Sequence, residues 1–260
     1  MFGHGGCPKY NLNHPSRENI AFMKKHYLVS LCACVGLFCA SAMGQISVIG
    51  DTCPAYDGTS NPWIVGNSLI VADAGATTVA AFGNGQIFAE GGFFGRNSNT
   101  ANLFLVNPQA KFEFLEQVRI GEGGTAILDI QDSAQFVAND FVYLGHFANG
   151  DGTVLISDAN WESYKVVIGR MGVGRFEATN GSQVEWNGNS SSIGFDKGSV
   201  GSALISDSNL TINGSLIIGG QGDAVMEGVQ FHPESFMTTE GPILLANFLG
   251  LPRPKVEALI

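Results

Sequence analysis

The side chains best suited to chemistry in this 260-residue chain lie near its C-terminus, in Glu227-Gly228-Val229-Gln230-Phe231-His232-Pro233-Glu234-Ser235. Alternate residues of an extended segment face the same side, so His232 and Glu234 can act together. An imidazole and a carboxylate sharing one side of a strand can work as an acid–base pair. Such a pair tunes a nucleophile but does not supply one, and the cysteines available are Cys7, Cys32, Cys34, Cys39 and Cys53. A second resource is carboxylate. Asp129, Asp132, Asp140, Asp151 and Asp158 could cleave a polysaccharide if two of them flanked a glycosidic bond. Loop carboxylates usually serve solvation, however, and no paired acid–base cluster stands out along the sequence. Gly219-Gly220-Gln221-Gly222-Asp223 approaches a calcium-binding nonapeptide, but its Asp arrives one residue early and the motif is not repeated. Turn formation accounts for it, and the sequence asks for no metal and no cofactor.

The element that would position these groups is a repeat. An apolar-Gly step recurs at Phe94-Gly95, Ile120-Gly121, Leu144-Gly145, Ile168-Gly169, Ile193-Gly194 and Ile218-Gly219, at intervals of 24 to 26 residues. Val65-Gly66 reads as an earlier, looser copy. Between the marks, strand-like runs lead into turn residues at Asp132-Ser133, Asp158-Ala159, Asn180-Gly181 and Asp207-Ser208. Each unit therefore holds about three strands of roughly four to six residues, punctuated by Gly, Asn, Asp and Ser. A unit this small cannot fold alone, but stacked copies bury one continuous interior. The spacing predicts an all-β fold, a right-handed parallel β-solenoid over 60–223, with about six to seven coils in a rod roughly 30 Å long. An antiparallel sandwich or barrel would also show closely spaced short strands; the fixed Gly interval favours the solenoid. Trp161, Trp186, Phe176 and Tyr143 read as core or rim packing rather than a sugar platform. Asn180, Asn189, Asn209 and Asn213 match the N-glycosylation pattern, yet Asn is a turn residue in its own right.

Composition agrees with many strands and tight turns. Gly numbers 35 of 260 and charged residues are only 14%, well below the roughly 25% of an ordinary soluble domain. The net charge of −10 argues against nucleic acid or an anionic membrane surface as partner. Met23-Lys24-Lys25-His26, the apolar run from Tyr27 to Ala40 and the small residues around Ala42-Met43-Gly44 form the three regions of a secretory signal, 23–44, cleaved near Gln45. Residues 1–22 then read as an over-extended leader, and 45–59 as the lead-in and cap of the solenoid. Cleavage leaves Cys53 as the only cysteine, so no disulfide can form within the mature chain. The expected location is secreted or at the cell surface, with an extracellular ligand or cell-surface component as partner.

Signal, Gly-Thr-x-x-Ile runs and Ile-Gly steps together resemble the β-helical, autotransporter-passenger-like repeats of bacterial secreted and surface proteins. That resemblance covers about 60–223 and speaks to architecture rather than activity. From about 225 to 250, Gly-Val-Gln-Phe-His-Pro-Glu-Ser closely resembles the C-terminal end of class I glutamine amidotransferase domains, of the anthranilate and aminodeoxychorismate synthase type. The resemblance implies that His232 and Glu234 match the family's catalytic His and Glu, that ammonia from glutamine would go to a synthase subunit, and that a Cys thiolate would do the attacking. The family's Gly-x-Cys-x-Gly-x-Gln elbow is missing. Cys53 lies in Asp51-Thr52-Cys53-Pro54, and Cys34-Val35-Gly36 matches two positions inside the signal. His232 and Glu234 are therefore vestigial on this reading, and the chain alone is expected not to hydrolyse glutamine. Leu244, Leu245, Phe248 and Leu249 fall on one face of a helix expected near 241–249. Residues 224–260 are accordingly an incomplete amidotransferase-like fragment, a helix recruited to cover the end of the solenoid, or half of a domain completed by another chain. Taken together, the sequence points to an exported, non-enzymatic surface or matrix protein. Its alternatives are a glutamine amidotransferase through the tail and a polysaccharide-active enzyme on the rod.

Overall fold

The computed structural model describes residues 45–228, and these form a β-solenoid of about seven coils with three walls. The first wall is built by Thr77–Phe82, Thr100–Val106, Thr125–Gln131, Asp151–Ser157, Val173–Thr179, Val200–Ile205 and Asp223–Glu227, all parallel. The second contains Trp63–Val65, Gln86–Ala89, Lys111–Phe114, Gln183–Trp186 and Asn209–Ile212, and the third Leu69–Val71, Gly92–Phe94, Val118–Ile120, Ser190–Ile193 and Ser215–Ile218. In two coils the second and third walls run together as the long strands Gln135–Leu144 and Asn160–Ile168, with an irregularity of register between Ala138 and Phe141. The first-wall strands of the middle coils reach seven residues and the third-wall strands of early coils only three, a wider spread than the even lengths expected.

Strict alternation explains the core. In Thr125–Gln131, Ala126, Leu128 and Ile130 point inward and are fully buried, while Ile127 and Asp129 point outward. Stacking identical positions then builds columns such as Leu103, Leu128, Val154 and Phe176. The second wall supplies an aromatic column in which Phe112, Phe136 and Trp161 lie in register. Phe136 stacks on Trp161 at 4.2 Å and 13°, and Phe176 meets Trp161 and Trp186 edge to face. Of the four aromatics expected as core or rim packing, Trp161, Trp186 and Phe176 are core, whereas Tyr143 sits on the outer side of the third wall. Trp161 donates its indole N–H to Ser163 Oγ at 2.8 Å, which satisfies a polar group inside an apolar interior.

The glycine marks are the corner between the third and first walls. Gly95, Gly121, Gly145, Gly169, Gly194 and Gly219 all have φ between 64° and 70°. At Gly121 a Cβ would lie 2.5 Å from the Asp151 carbonyl oxygen of the next coil, so the site excludes a side chain twice over, by conformation and by space. Val65-Gly66 is not a copy of this corner. Val65 pairs with Ala89 on the second wall, and the third-wall partner of Phe94 is Val71, so Ala72, with φ 62°, occupies the corner in the first coil. Gly66 serves a turn with open space around it, which is why spacing alone placed the copy wrongly.

One further boundary differs from expectation. Asp223–Glu227 pairs with Val200–Leu204, so the solenoid continues past 223. At the other end Gln45–Ile49 and Thr52–Cys53 run antiparallel to Thr77–Phe82 and Leu69–Val71, closing the first coil by reversing the chain. The expected leader 1–22, signal 23–44 and helix near 241–249 lie outside the described residues.

Candidate functional site

His232 and Glu234 lie outside the described residues, so the tail site is not placed. Cys53 is an exposed thiol at the N-terminal end. The five aspartates do not converge. Asp132 and Asp158 hold the left-handed corner between the first and second walls, with φ of 54° and 48°. Asp151 opens a first-wall strand and pairs with Arg175 at 2.5 Å. Asp129 is outward on the first wall between Phe104 and Leu155, where burial raises its pKa against a hydrogen bond from Gln131. Asp140 sits in the strand joining the second wall to the third. Gly219 to Asp223 forms the last glycine corner and its return to the first wall. Among the described residues, no three of His, Cys, Asp and Glu gather as a metal-holding group.

A charged cluster does exist, contrary to the sequence reading, and it is built by the residue that follows this corner in the first five coils. In successive coils these are Asp73, Arg96, Glu122, His146 and Arg170, held together by inter-coil backbone bonds such as Arg96 N–H to Ala72 O at 3.1 Å and His146 N–H to Gly121 O at 3.0 Å. Each is separated from the next by a whole coil in sequence and by about 4.8 Å in space. Glu122, only 6% exposed, receives Arg96 Nε at 2.7 Å on one oxygen and Arg119 Nη1 at 2.7 Å on the other. Arg96 also reaches Asp73 at 3.5 Å. These two guanidinium groups are therefore neutralised within the wall.

Further along the column the balance changes. His146 is 2% exposed, and burial, with the nearby Arg119 and Arg170 charges, pushes its pKa down to about 3. The ring is neutral at physiological pH and accepts from Arg170 Nη1, which lies 2.9 Å from Nε2. Arg170 keeps its positive charge without an acid partner among the described residues. Its guanidinium lies 5.0 Å above the Tyr143 ring, and Lys165 Nζ lies 4.9 Å above Phe141. Phe141 and Tyr143 are outward neighbours on one strand with rings 10° from parallel. On the preceding coils Arg119 covers Phe93 at 4.9 Å. The third wall and its glycine corner thus carry interleaved cations and aromatic rings, and four of the seven Lys and Arg among the described residues.

A signal for this column was present in the sequence, one residue beyond the glycine marks from Gly95 to Gly169. It escapes reading by type because Arg, Glu and His at intervals of about a coil look like isolated surface charges until the coils stack.

No family model, no curated protein and no solved structure matches this chain.

Proposed function

We propose that the protein is an exported, non-enzymatic β-solenoid that works at the cell surface or in a surrounding matrix, presenting its walls and corners for adhesion. The observation that carries this reading is the regular rod itself, with polar turns stacked in ladders along its corners. Asn213 donates to Asn187 at 2.7 Å, Asn209 to Gln183 at 3.1 Å and Asn180 to Ser157 at 2.8 Å. Such ladders fix backbone turns and present a flat polar rim rather than a cleft.

Shape supports the same view. One hollow, about 440 Å³, is open and lined by Asn84, Gln86, Pro108, Gln109, Lys111 and Gln135. Another of about 280 Å³ brings a single acid, Asp207, to the last Asn/Asp corner. Neither offers the two facing carboxylates that glycoside cleavage needs. Of the expected amidotransferase-like fragment 224–260, residues 224–227 belong to the last solenoid strand; the remainder is read as that fragment without its nucleophile, with His232 and Glu234 as its vestigial pair.

Two measurements test the proposal. Expressed with its own N-terminus, the protein should be recovered outside the cytoplasm with a mature chain beginning near Gln45; retention in the cytoplasm with the N-terminus intact would overturn it. The purified chain should release no ammonia from glutamine, and release that disappears on His232→Ala would restore the enzyme reading.

A further inference from the structure

We propose that the outer third wall around Phe141, Tyr143, Lys165 and Arg170 binds an acidic polysaccharide, a polymer carrying carboxylate or sulfate groups, laid along the rod. The proposal names the ligand class of the adhesive reading and takes its setting from it, but its test uses purified protein and does not depend on export.

Charge complementarity is the first argument. The described residues are strongly acidic as a set, yet four of their seven cations lie on this wall. Arg96 and Arg119 are spent on Glu122 and Asp73. Arg170 is not spent, because the group beside it is an uncharged imidazole. Lys165 likewise has no acid partner among the described residues. The wall therefore holds two available cations on one coil against one carboxylate, Asp140, whose charge reaches Tyr143, beside two aromatic rings.

Preorganisation is the second argument. Each available cation is held over a ring, Arg170 by Tyr143 and Lys165 by Phe141. A long side chain fixed this way gives up less entropy when it meets an anion. The exposed side chains Phe147, Met171 and Phe195 continue an apolar surface along the same corner, each more than 40% exposed. Apolar and ring surface suits the hydrocarbon faces of sugars, while the cations meet their acidic substituents.

The form of the partner follows from the coil repeat. Outward positions recur about every 4.8 Å along the axis, so an extended chain can touch several coils at once. Nucleic acid fits less well. A duplex carries one phosphate charge per roughly 1.7 Å, and a protein with net charge −10 and two available cations repels that density. A polysaccharide with one acid per sugar spreads its charge more thinly.

Titration of the full-length purified protein with polygalacturonate, dextran sulfate, neutral dextran and single-stranded DNA would test this directly. Binding to at least one of the two acidic polymers is expected, and comparing them separates carboxylate from sulfate. Replacing Lys165 and Arg170 together by Gln should weaken that binding at least about tenfold, the loss of one ordinary charged contact or more. Arg170→Lys should keep most of it. Lys111→Gln with Arg175→Gln removes the same charge from the other walls and should change affinity less than about twofold. Circular dichroism confirms the fold of each variant. No binding to either acidic polymer, equal binding of neutral dextran, tighter binding of DNA, or equal losses in the two double variants would each overturn the proposal.

Discussion

Two corners of the solenoid adopt the same left-handed backbone but impose it on different residues. At the corner from the third wall to the first, φ lies near 67° and the residue is Gly in six successive coils. At the corner from the first wall to the second, Asn107, Asp132, Asp158, Asn180 and Asp207 have φ from 48° to 91°. The difference is space. At Gly95, Gly121, Gly145, Gly169 and Gly194 a Cβ would run into a carbonyl of the next coil. At the other corner side chains fit and bond to the turn beside them, as Asn180 does to Ser157. Conformation alone selects Gly, Asn and Asp; conformation with close approach selects Gly only.

The largest effect should come from putting a methyl group where there is no room. Gly121→Ala combines left-handed strain of about 1–2 kcal/mol with a 2.5 Å approach to the Asp151 carbonyl. A loss of about 3 kcal/mol is expected, seen as a drop of roughly 6–12 °C in the midpoint of thermal unfolding. A drop under about 1 °C would mean that the corner is looser than its geometry shows.

The column beside the glycine corner should show in acid. With the folded pKa of His146 lowered to about 3 and an unfolded value near ~6.5, only the unfolded chain gains this proton between those limits. Above about pH 6.5 the group contributes nothing. Stability should fall by about 1.4 kcal/mol per pH unit as pH drops through that window. Urea unfolding of the wild type and of His146→Gln, compared at pH 7, 5.5 and 4.5, isolates the slope. Parallel curves for the two proteins would contradict a buried neutral imidazole.

The Asn/Asp corner should be more forgiving. Asp158→Gly keeps the conformation and is expected to cost less than about 0.5 kcal/mol, whereas Asp158→Ala should cost about 1 kcal/mol through strain alone. Ala72→Gly is the smallest change, made at the one glycine corner that holds another residue. Relief of strain is offset by loss of a buried methyl worth about 0.8 kcal/mol, so the net shift should stay within roughly 0.5 kcal/mol. A penalty near that of Gly121→Ala would show that Ala72 holds the first coil together.

These contrasts also explain what could be read from the sequence. The glycine corner was legible because two constraints leave one residue type, and its interval carried the coil length with it. Val71-Ala72 was missed since it satisfies the same corner without Gly, and Val65-Gly66 was taken instead because Gly also serves ordinary turns. Trp161, Trp186, Phe176 and Tyr143 were legible only as packing residues, core or rim; stacking separates the first three, which are buried, from Tyr143 on the outer side. Asp73, Arg96, Glu122, His146 and Arg170 were not legible as a group, because their pairing is created by stacking. Their meaning lies in coil-to-coil register, which no single stretch of chain displays.

Parallel in-register stacking is the claim on which all of this rests. On the first wall each residue of Asp151–Ser157 pairs with the residue 22 positions later. Two nitroxide pairs decide it, placed at outward residues Thr153 with Arg175 and Ser157 with Thr179 in a background with Cys7, Cys32, Cys34, Cys39 and Cys53 replaced by Ser. Parallel pairing puts both pairs about 5 Å apart, so both spectra should show strong dipolar broadening. An antiparallel hairpin holds the sum of paired numbers constant and can bring only one of the pairs together. Broadening in one pair and a sharp spectrum in the other would contradict the solenoid and everything built on its walls.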